Sequence, residues 1–114
     1  RFYDPQEGQI LITGGKLPLA ETNIAWWRKQ MGYIGQEPIL FDTSVLENVL
    51  YGMDKSKVSE EHLEKCSTMA CLNFLKEQDG WETQVGPRGE RLSGGQKQRV
   101  AICRAIVREP QIML

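Results

Sequence analysis

The sequence predicts an α/β fold, a partial core sheet that carries a mostly helical insertion. Three observations point to it. Residues 9–35 read as strand, short helix, strand. Residues 42–79 show helix caps and helical spacing almost throughout. Ser93 then opens the longest helical run, Pro110 closes it, and the apolar Ile112-Met113-Leu114 starts another strand.

Each element has a local cause. Asp4-Pro5-Gln6-Glu7-Gly8 is a turn, because Pro presets φ and Gly ends the bend. Gln9 to Thr13 is β-rich, and Gly14-Gly15 closes a hairpin-like turn. Pro18 discourages helix just before residue 19. Thr22 or Asn23 can cap a short helix from Ile24 to Gln30, followed by a short strand from Gly32 to Gly35. Pro38 breaks the chain before the apolar Ile39-Leu40-Phe41, on a loop or strand end. Asp42, Thr43 or Ser44 caps the next helix through Leu50, which Gly52 ends. Ser59 caps another, with Glu60 and Glu61 in the first turn, where the helix dipole favours negative charge. Leu63, Cys66 and Ala70 form its buried stripe. Helical pattern resumes from Asn73 to Glu77 and stops at Gly80. Glu82 to Arg91 is a loop, and the long helix runs from Ser93 to about Glu109.

Composition narrows the function classes. The 114 residues suffice for one small domain. Lys and Arg number 14 against 15 Asp and Glu, so no basic surplus argues for nucleic acid. The charged fraction of 25% and apolar fraction of 40% are those of a folded chain. No apolar run approaches the roughly 18–20 residues of a membrane span. The chain opens on Arg1-Phe2-Tyr3 and stops inside an apolar run, so it reads as a segment of a longer protein.

The three cysteines, Cys66, Cys71 and Cys103, include no C-x-x-C pair. Cys66 and Cys103 sit among apolar residues at helical spacing and read as buried, reduced thiols. The single histidine, His62, lies in a polar helix start and makes no zinc site.

Chemistry concentrates in Leu92-Ser93-Gly94-Gly95-Gln96-Lys97-Gln98-Arg99. Ser93 and Gln96 have capping-box spacing. Glycine in a helix costs about 1 kcal/mol against alanine, yet Gly94 and Gly95 fill the first turn. Without Cβ atoms, a ligand can reach the backbone amides at the positive end of the dipole. Lys97 and Arg99 add positive charge. On Ser-Gly-Gly alone, an ordinary capped helix is the plainer reading.

The longer string is more specific. LSGGQKQRVA at residues 92–101, with Arg104-Ala105-Ile106, Pro110 and the final apolar strand, resembles the signature region of ATP-binding-cassette (ABC) ATPases. Tyr33-Ile34-Gly35-Gln36-Glu37-Pro38 resembles that family's Q-loop, with Gln36 as its glutamine. Arg1-Phe2-Tyr3-Asp4-Pro5, Trp27-Arg28, Leu40-Phe41, Glu47-Asn48-Val49 and Tyr51-Gly52 resemble the exporter branch of multidrug-resistance and peptide transporters. Val85-Gly86-Pro87-Arg88-Gly89-Glu90 resembles the exporter x-loop. Gln84 stands where that loop usually has an acid, which weakens an ion-pair role there. The sequence contains no G-x-x-x-x-G-K-[ST] phosphate loop; Gly14-Gly15-Lys16-Leu17 is a near miss.

The resemblance implies a P-loop NTPase-type ABC ATPase domain, seen from just after the P-loop to the start of the Walker B strand. Residues 42–92 would be its helical subdomain with the x-loop, and 93–109 its signature helix. It implies ATP and Mg²⁺ as cofactors. The partners would be a second nucleotide-binding domain, docked head to tail, and the coupling helices of membrane domains; nucleic acid would not be one. Leu92, Ser93, Gly94, Gly95 and Gln96 would face the γ-phosphate held by the opposing subunit. Gln36 would sense Mg²⁺ and the attacking water, through its carbonyl or indirectly. Glu37, Pro38, Val85, Gly86, Arg88 and Gly89 would couple to the membrane domains. The whole protein would be an ATPase that drives export, lying at the cytoplasmic face of its membrane. Residues 1–114 alone would be inactive and of marginal stability. Two other readings share the signature: a soluble ABC ATPase of DNA repair or translation, and a degenerate regulatory cassette.

Overall fold

The computed structural model describes residues 1–114. The chain opens with a hairpin of two-residue strands, β1 (Leu11–Ile12) and β2 (Leu17–Pro18), antiparallel with Ile12 opposite Leu17. The expected strand from Gln9 is thus shorter, because Thr13 already turns left-handed at φ 54. A 3-10 turn at Leu19–Glu21 leads to α1 (Ile24–Lys29). Of the two candidate caps, Asn23 does the work: its side chain accepts from the Trp26 amide at 3.0 Å.

The next strand, β3, is Met31–Gly32, one residue earlier than the sequence suggests. It pairs in parallel with β4 (Ile112–Met113). The ladder ends where the Ile34 amide donates to the Leu114 carbonyl at 2.9 Å. Beyond it no partner holds Gly35 in a strand. Gly32 is required here, since a Cβ would sit 2.7 Å from Met113 Sδ and 3.0 Å from Pro110 Cγ.

The helical part is built around three helices. Ser44 caps α2 (Val45–Val49) and Ser59 caps α3 (Glu60–Met69). Ser93 caps α4, which runs from Gly94 to Ile106. Between α3 and α4 come 3-10 turns at Asn73–Glu77, Gly80–Glu82 and Pro87–Gly89. Gly80 does not stop a helix; with φ 59 it opens a new turn. α4 is also shorter than expected. A residue before proline avoids right-handed helix, and Glu109 turns left-handed at φ 50 ahead of Pro110.

One core of 13 buried residues joins these helices. Val100, Cys103 and Val107 form the buried stripe of α4, facing Val45 and Val49 of α2 and Cys66 of α3. Asn48 is buried among them and fully bonded. Its Oδ1 accepts from the Phe41 amide at 2.8 Å, and its Nδ2 donates to the carbonyls of Phe41 and Ser44. It thereby ties the Leu40-Phe41 segment to α2.

Candidate functional site

The start of α4 has the expected geometry. Ser93 Oγ accepts from the Gln96 amide at 3.2 Å, and Gln96 Oε1 accepts from the Ser93 amide at 2.7 Å. The capping box is therefore closed in both directions. The amides of Gly94 and Gly95 fall in the first turn, which offers them no intrahelical acceptor. Ser93, Gly94 and Gly95 are exposed, and a Cβ on either glycine would meet nothing within 4 Å. The space that side chains would fill is open to a ligand. This arrangement fits an anionic group such as a nucleotide phosphate. Leu92 differs from its neighbours: its side chain is buried in the core, where it anchors the helix start.

A groove of about 580 Å³ lies beside this helix start. Three segments line it: Gln36, Glu37, Pro38 and Ile39, then Arg88, then Gly94, Lys97 and Gln98 of α4. The chain thus brings five of the sequence-nominated residues to one place: Gln36, Glu37, Pro38, Arg88 and Gly94. Val85, Gly86 and Gly89 are not among the residues that line the groove. Val85 is fully buried, its amide donating to Thr43 O and its carbonyl accepting from the Arg91 amide. Gln84 points its side chain locally, Nε2 donating to the Glu82 carbonyl at 3.1 Å.

Two contacts at the groove have no signal in the sequence. Lys97 Nζ donates to the Arg88 carbonyl at 3.0 Å, so its ammonium is committed to the 86–91 loop. Arg104 donates to the Ile39 carbonyl at 3.0 Å, across 65 residues of sequence. Burial, then the neighbouring Arg108, lowers the Arg104 pKa from its ordinary value.

The buried thiols and His62 make contacts within the fold. Cys66 and Cys103 are buried free thiols. Burial, then Cys66, pushes the Cys103 thiol up to about 12, far from a reactive thiolate. Burial, then Glu109, raises Cys66 as well. His62 Nε2 lies 3.0 Å from the Val107 carbonyl and joins α3 to the end of α4. No cluster of three metal-ligating side chains is present, and no helix is long and apolar enough to cross a membrane.

Fold and site together define an α/β domain with an open, glycine-lined helix start beside a loop-walled groove. The chain belongs to the ABC transporter family, whose pattern matches residues 1–114. It is 47% identical to multidrug resistance protein pgp-1 of Caenorhabditis elegans and 46% identical to ABC transporter B family member 18 of Arabidopsis thaliana. Both alignments cover all of this chain and 9% of the relative. It is 44% identical to the mitochondrial ATP-dependent permease MDL1 of Schizosaccharomyces pombe, over 15% of that protein. Among solved structures, it matches a bacterial Atm1-family ABC exporter with ATP bound. The TM-score is 0.84 and the identity 37%, over 99% of this chain and 19% of the other. The chain is therefore part of an exporter-type ABC nucleotide-binding domain and spans about a tenth of the curated relatives' length.

Proposed function

We propose that residues 1–114 supply the signature half-site and the Q-loop of an ATP-driven export motor. The observation that carries this is the open first turn of α4: a closed capping box, two glycines with free space where Cβ atoms would be, and a groove shared with Gln36. Ser93 Oγ and the amides of Gly94 and Gly95 bind a terminal phosphate presented by a second nucleotide-binding domain. Gln96 holds the cap closed, and buried Leu92 keeps the helix start in place. ATP with Mg²⁺ supplies the phosphoryl group whose transfer to water drives the cycle.

Gln36 offers a carbonyl oxygen and an amide at the groove, suited to orienting a hydrated Mg²⁺ or a water. Glu37, Pro38 and Arg88 border the groove, with Val85, Gly86 and Gly89 supporting it; this face receives a coupling helix of the membrane domains. The motor lies on the cytoplasmic side of the membrane, as a head-to-tail pair of domains without nucleic acid. Residues 1–114 by themselves hydrolyse no ATP, because they hold no phosphate loop.

The decisive experiment is Ser93→Arg in the full-length protein. The long side chain fills the space over Gly94 and Gly95, so ATP-dependent pairing of the two domains is lost. Pairs that form normally in this variant would sink the assignment.

A further inference from the structure

We propose that Lys97 and Arg104 are positioning residues that clamp the two walls of the groove to one rigid helix. This rests on the half-site reading above and extends it to how the state of the helix start reaches the groove.

The two residues are seven apart on α4, so they fall on one stripe of the helix, about 10 Å apart along its axis. They reach two different lining segments. Lys97 Nζ donates to the Arg88 carbonyl at 3.0 Å, and Arg104 donates to the Ile39 carbonyl at 3.0 Å. Both acceptors are backbone, so each bond fixes the path of a loop rather than one side chain. A charged donor makes the stronger class of hydrogen bond.

The wall at Arg88 needs such a partner. Arg88 has φ 51, a left-handed backbone that a non-glycine residue adopts only when its surroundings hold it there. Its neighbour Gly89 is pressed onto the Lys97 stem. A Cβ at Gly89 would stand 3.1 Å from Lys97 Cε and 3.3 Å from Leu40 Cδ1. The lysine thus packs with its methylenes and bonds with its ammonium in the same strained turn. Lys97 is four residues beyond Ser93, one helical turn from the open cap. A displacement of the helix start therefore moves both walls together.

The test uses the full-length protein and Mg-ATP. Lys97→Met keeps the stem and removes the ammonium; Arg104→Met does the same for the guanidinium. Without nucleotide, amide exchange should speed up by about tenfold at residues 86–92 in Lys97→Met and at residues 37–41 in Arg104→Met. The kcat of Lys97→Met should fall by about tenfold while the KM for ATP stays within about twofold. Lys97→Arg, which keeps a cationic donor, should recover most of both losses. Unchanged exchange and kcat in both methionine variants would overturn the clamp. A raised KM with intact kcat would place Lys97 on the nucleotide instead. Should the variants fail to fold, Mg-ATP added to the wild type must slow exchange at both segments together; a response at only one refutes the clamp. Normal ATP-dependent pairing in Ser93→Arg would reject the underlying half-site reading, while the nucleotide-free exchange comparison would still decide the clamp.

Discussion

Residues 1–39 and residues 40–107 solve the problem of burial in opposite ways. The whole 13-residue core lies in the second region, from Leu40 to Val107. In the first, Gly32 alone is buried, and large apolar side chains such as Phe2 (87% exposed) and Tyr3 (94%) are not covered by other residues of 1–114. The radius of gyration is that of an extended arrangement. It is 16.6 Å, against about 13 Å for a compact domain of this length. The helical region buries its stripes helix against helix, with α4 packed on both α2 and α3. The β region has two-residue strands whose partners are distant or few, so it gains little apolar burial within these residues. Stability should therefore reside in the helical region, and the largest mutational effects should fall there.

The sharpest break would come from a charge in that core. Val100 is fully buried against α2, and Val100→Asp should cost about 4 kcal/mol or more and unfold the helical region. Loss of the cooperative unfolding transition of the domain would show it. Asn48→Ala comes next, at about 2–4 kcal/mol, because the Phe41 amide and carbonyl lose their buried partner. Amide exchange at Phe41 should rise before any other site responds.

Gly32→Ala probes the sheet and should cost about 1–2 kcal/mol. The Met113 Sδ can swing away, but Pro110 has less room. Its mark would be lost protection at Ile34 and Leu114, with the helical core unchanged. A loss as large as that of Asn48→Ala would blur the division between regions. The smallest effect expected is at Tyr3→Ser, within about 0.5 kcal/mol by denaturant midpoint.

Acid should act on the helical region through an exposed site as well. The Thr43 hydroxyl, then Lys55, holds the Glu47 carboxyl below its ordinary 4.5. A depressed carboxylate stabilises the fold above its unfolded value and loses that contribution as pH falls through the folded value. Glu47→Gln should accordingly flatten the acid limb of the stability curve just below pH 4.5. An unaltered limb would show that solvent screens the contact away.

Much of this was legible in residue order because it is local. Ser44, Ser59 and Ser93 each cap the helix that follows, and the Ser93–Gln96 box spans only one turn. The stripe of Leu63, Cys66 and Ala70 turns inward, with Cys66 and Ala70 fully buried. The motifs at Gln36 and at residues 92–99 named the family because their strings are long and specific. Strand limits were less legible. β3 begins at Met31 because β4 pairs there, and that register depends on residues 81 positions away. The end of α4 was misplaced by three residues, because the strain Pro110 imposes reaches back through Glu109.

By itself the sequence determined the α/β class, the family and the Ser93–Gln96 capping box, since each depends on neighbours within a turn or on an unbroken motif. Only the tertiary structure decided that Gln36, Arg88 and Gly94 share one groove, that Leu92 faces inward, and that Lys97 serves the Arg88 turn while Arg104 serves Ile39. Those facts depend on how α4 packs beside two loops remote in sequence, and backbone carbonyls, which accept those bonds, look alike at every position of a chain.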